Sequence, residues 1–75
     1  MEELVRYIAQ HLVDDPDAVC IHRVERGDTV ILELSVAPDD MGKVIGKQGR
    51  IAKAIRSVVK AASSKEDVKY MVEIV

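Results

Sequence analysis

Seventy-five residues with 48% hydrophobic and 32% charged content specify one small globular domain, residues 1–75, and exclude a disordered chain. No apolar run approaches the roughly 20 residues that span a bilayer, the start MEELVRYIAQ is acidic where a secretory signal is basic, and the single Cys20 has no partner for an internal disulfide; the expectation is a cytoplasmic protein with no membrane contact. The net charge of −2 conceals a division: residues 1–40 carry ten acids against three bases, and residues 41–75 eight bases against three acids, with no acid between Met41 and Lys65.

The elements follow in order. Leu4, Val5, Ile8, Ala9 and Leu12 share one face of a helix over 3–13, which Asp14-Asp15-Pro16-Asp17 ends. Residues 19–26 are extended, Gly27-Asp28 is a turn signal, and 29–36 alternates with Val30, Leu32, Leu34 and Val36 on one side, giving a hairpin. Pro38 suits the first turn of a short helix, with Asp39 and Asp40 at its positive end. A second helix runs from about Gly49 to Ser63. Its expected apolar stripe is Ile51, Ile55, Val58 and Ala62, flanked by Ala54 and Val59. Residues 68–75 alternate again, with Val68, Tyr70, Val72 and Ile74 together. The order is α-β-β-α-α-β. A crossover through two helices makes 29–36 and 68–75 parallel neighbours, so the expected fold class is α+β: a two-layer sandwich of a three-stranded mixed sheet with helices on one face.

The stretch VIGKQGRIAKAI, residues 44–55, gathers cations around two glycines. Glycines allow a turn too tight for a side chain. Where a helix opens at the second glycine, bare amides and the positive end of the helix dipole meet an anion that a side chain would have kept away. Lys43, Lys47, Arg50 and Lys53 surround the same point, and Arg56 and Lys60 continue the cationic face. A phosphate backbone is the ligand this arrangement attracts. With two Tyr and no Phe or Trp, the chain lacks a platform for stacking bases on aromatic rings.

Ile45-Gly46-Lys47-Gln48-Gly49-Arg50-Ile51 resembles the signature of the KH domain of RNA-binding proteins, an Ile-Gly-x-x-Gly-x-x-Ile core between two helices. Here the second Ile comes two places after the last Gly, and Ala52 takes the next place. The added helix and strand before the β-α-α-β core resemble the bacterial, type II form, and the chain from APDDMGKVIGKQGRIAKAI onward is similar to small stand-alone bacterial members. The resemblance implies a GxxG loop that holds about four nucleotides of single-stranded RNA by their backbone. It also implies an RNA chaperone or post-transcriptional regulator, and self-association or pairing with a larger KH-containing protein. Carried over, the RNA-binding residues are Gly42, Lys43, Ile45, Gly46, Lys47, Gln48, Gly49, Arg50, Ile51, Lys53, Arg56 and Lys60, with Leu34 or Val36 lining a groove for bases; Ile45 and Ile51 are also expected in the core.

Other chemistries fit less well. Three residues lie between Gly42 and Gly46 where a P-loop has four, and Gln48 takes the place of its Ser or Thr. Gly42-x-x-x-Gly46 lies in no apolar 20-mer. Cys20 and His22 share a strand face without a second ligand pair, and His11 has no nucleophile or carboxylate partner, so no metal, cofactor or catalytic residue is assigned. The rival reading is a protein-protein dimerisation module whose basic helix binds an acidic partner.

Overall fold

The computed structural model describes the backbone of residues 1–75 and every side chain except that of Lys47. Helix α1 (Glu2–Leu12) leads through a single 3-10 turn at Pro16–Ala18 to the hairpin β1 (Cys20–Arg26) and β2 (Thr29–Ser35). Gly27 takes φ 62° at the first position of the two-residue turn, where a side chain would be strained. Helical bonding then runs through α2 (Pro38–Ala62) before β3 (Lys69–Ile74) closes the sheet.

β2 lies in the centre, antiparallel to β1 and parallel to β3, with Leu32 opposite both Arg23 and Val72. Its alternation is the one read from sequence. Val30, Leu32 and Leu34 are buried while Ile31 and Glu33 are half-buried on the opposite face, which also leaves Met71 exposed. The core forms where these three meet Val5 and Ala9 of α1, Ile55 and Val59 of α2 and Val72 of β3. Each fully buried Leu or Ile contributes about 1.5–3 kcal/mol.

Two details differ from the sequence reading. The two expected helices are two arms of one helical run, α2. A straight helix of 25 residues would measure about 38 Å, more than the 35 Å longest dimension of the molecule, and the run bends at Gln48 and Gly49, whose φ values are 63° and 70°. Three helical segments therefore precede or join the strands in the order α-β-β-α-α-β. The buried stripe of the second arm is Ala52, Ile55 and Val59, whereas Val58 is 40% exposed and Ala54 and Ala62 lie in solvent. The face is turned by one residue, about 100°.

A tie that no local pattern predicts joins the start of α2 to the end of α1. Asp40 is 1% exposed, and its Oδ1 and Oδ2 accept the backbone N–H groups of Asp14 and Asp15, both at 3.0 Å. α1 has no glycine cap, so this carboxylate takes the amides that leave it.

Candidate nucleic-acid interface

Both arms of α2 and the outer strand β3 enclose a groove of about 450 Å³, lined by Ile45, Gln48, Gly49, Ala52, Lys53, Arg56 and Ile74. Ile45 is not core: it is 56% exposed at the groove. Ile51 is half-buried and packs against the core, and Ala52, one place further, is 6% exposed and lines the groove. The strand in the groove is β3. Leu34 is fully buried and Val36 packs on the core, because β2 is the central strand with both neighbours in place. Sequence reasoning missed Ala52 and Ile74. The signal was present for both: Ala52 falls two turns after Ile45, and Ile74 continues the alternation of Tyr70 and Val72.

The glycines do separate jobs. Gly49 is needed by the backbone, since its positive φ disfavours a side chain. Gly46 has no left-handed φ, and a Cβ built there meets nothing within 4 Å. The fold itself does not require a glycine at 46, nor at Gly42 one turn earlier, where the space is equally open. Gly46→Ala is expected to raise stability by up to about 1 kcal/mol through helix propensity, and Gly49→Ala to lower it by about 1–2 kcal/mol; urea unfolding of the two variants checks the sign of each.

Lys43 donates to Asp14 Oδ2 at 2.8 Å, and that hydrogen bond holds its pKa above the ordinary lysine value. Arg50, Lys53, Arg56 and Lys60 are exposed. Among the described residues the ion pairs are Arg23 with Glu2 and Glu25, and Lys43 with Asp14, so these four cations have no acidic partner. Arg56 turns its Nε–H to the carbonyl of Val72 at 3.1 Å, bridging α2 to the edge of β3. Lys60 lies beyond the groove, one turn after Arg56; the side chain of Lys47 lies outside the described residues. Helical bonding runs on through Gly49, so the expected fresh helix start is a bend within α2, and the positive charge at the site is carried by side chains.

The family model described as "KhpA/KhpB, KH domain" matches residues 2–74. The chain belongs to this KH family. It is 61% identical over 75 residues to the RNA-binding protein KhpA of Clostridium perfringens (strain 13 / Type A) and 59% identical over 75 residues to that of Caldanaerobacter subterraneus subsp. tengcongensis, covering 100% of both chains in each case. Its fold is also that of part of Era, in a crystal structure with MgGDPNP and nucleotides 1506-1542 of 16S ribosomal RNA: TM-score 0.61, 20% identity, 99% of this chain and 30% of the Era chain. The α-β-β-α-α-β order with a parallel β2–β3 pair is the type II KH arrangement expected from the added helix and strand ahead of the β-α-α-β core. No helix is long and apolar enough to cross a membrane.

Proposed function

We propose that this KH chain binds short single-stranded RNA at the bend of α2, without turning it over, as an RNA chaperone or post-transcriptional regulator in the cytoplasm. One observation carries the reading. Gly46 is a glycine that the fold does not need, beside the 56% exposed Ile45 and next to cations without acidic partners. A bare backbone flanked by an apolar ledge and free positive charge suits a phosphate with its base attached. Phosphates pass over Gly46–Gly49, neutralised by Lys47, Arg50 and Lys53. Bases lie on Ile45, Ala52 and Ile74, with Gly42 keeping the shoulder of the groove open, Ile51 supporting it from the core side and Lys43 shared with Asp14. Arg56 and Lys60 extend the track. The relatives named RNA-binding protein KhpA support the ligand class. The family name joins KhpA with KhpB, which supports pairing with a KhpB-like protein besides self-association.

Binding of a labelled oligoribonucleotide, followed by anisotropy between 50 and 300 mM salt, tests this. Neutralising about four phosphates predicts a slope of log K on log salt of about −3, and Arg50→Gln with Lys53→Gln should bring it to about −1.5. A flat slope, or one the double substitution leaves unchanged, would refute the RNA reading. If the same variant instead lost an acidic protein partner, the basic helix would be a protein-docking surface.

A further inference from the structure

A second groove, of about 580 Å³, continues from the first along β3. Arg56 lines both, so the two share a wall. Past Arg56 the floor is apolar, with Val59 and Tyr70, and the rim carries Lys60 and Lys69. The outer edge of β3 borders this space. Lys69 and Val75 turn their amides inward, to Asp28 and Leu34, while Val72 turns its carbonyl outward to Arg56. By the two-residue period of a strand, Tyr70 and Ile74 present their backbone groups on the same open side as Val72.

From this continuity we infer that the second groove takes the next nucleotides of the same single-stranded RNA. The inference rests on the RNA reading of the first groove. A base lies against Tyr70 and meets its free N–H and carbonyl, while phosphates pass from Arg56 to Lys60 and Lys69. Glu66 and Asp67 close the far end, and like-charge repulsion ends the track there. The pairing of cationic rim with apolar floor matches a nucleotide. An added protein strand fits less well, because Arg56 already holds the carbonyl at the middle of a six-residue edge.

The test compares a four-nucleotide and an eight-nucleotide RNA on the intact chain. Lys69→Gln, a residue of the second groove alone, should weaken the eight-mer by about threefold and leave the four-mer unchanged, since only the longer strand reaches the second groove. In Tyr7→Phe protein, where Tyr70 is the sole remaining tyrosine, the eight-mer should quench tyrosine emission and the four-mer should not. If both oligomers bind but lose affinity equally and leave Tyr70 emission alike, the second groove is no part of the track, and the RNA reading of the first stands. Unchanged RNA affinity together with lost self-association would make the groove an interface between copies and overturn the inference. Absence of binding by either oligomer removes both readings.

Discussion

Asp40→Ala should lower the free energy of unfolding by about 2–4 kcal/mol. Asp40 is 1% exposed and serves two backbone N–H groups that no helix or strand satisfies, those of Asp14 and Asp15. Each bond to a carboxylate is worth about 1.5–3 kcal/mol, and an amide left without its acceptor bears a desolvation cost on top. Water reaches these part-buried amides in the variant and returns some of that cost, which sets the upper bound. A domain of this size has only about 4–11 kcal/mol in all, so the single carboxylate holds a large share. Asp40→Asn keeps one acceptor oxygen but turns an NH₂ group toward the second amide, and should recover less than half of the loss. Urea unfolding followed by far-UV circular dichroism measures both variants. A loss below about 0.5 kcal/mol for Asp40→Ala would mean that solvent serves these amides equally well and that the tie contributes little.

The same residue shows where a sequence stops being readable. Asp40 reads correctly as an acid near a helix start, favourable to the dipole. Its larger task is set by residues 25 and 26 positions earlier, and no periodicity or local motif reports a bond of that span. The sheet was legible for the opposite reason. The turn at Gly27-Asp28 fixes the β1–β2 register, and alternation along β2 and β3 fixes which side is buried, all within short windows. The second arm of α2 falls between these cases. Ile51-Ile55-Val58-Ala62 and Ala52-Ile55-Val59 both follow helical spacing, and both contain Ile55. The adjacent pair Val58-Val59 cannot be ordered by period alone. The way the arm lies on the sheet decides it, burying Val59 to 2% exposure and sending Arg56 to the carbonyl of Val72.

The candidate site divides in the same manner. The glycine spacing and the run of cations were visible in residues 43–60 because they are contiguous. The wall of the groove was misplaced because a groove needs a third dimension: Leu34 and Ile74 are register partners, and the sheet order alone decides that the first is enclosed and the second reaches the edge. Ile45 was expected inside because it is a branched aliphatic in a helical pattern. It faces out because Val44, its neighbour, takes the buried place at 1% exposure.

The largest effect on binding is expected from Lys47→Asp with Gln48→Asp, a loss of about 30- to 150-fold in RNA affinity at physiological salt. The pair removes one cation and adds two anions beside the proposed phosphate path. At about 1 kcal/mol per unit charge at 4 Å in water, with screening over about 8 Å, the change amounts to about 2–3 kcal/mol, which is that range of affinity. The fold should not change. Gln48 is exposed with φ 63°, so its replacement uncovers no core, and Asp is among the few residues besides Gly that accept this conformation. Far-UV circular dichroism and the urea midpoint should therefore match those of the parent while anisotropy reports the loss. This combination separates a phosphate seat from a bend that merely joins two arms of a helix. If the bend is only a connector, it will tolerate two aspartates with no change in either measurement. Binding within about threefold of the parent, with the fold intact, would give that answer.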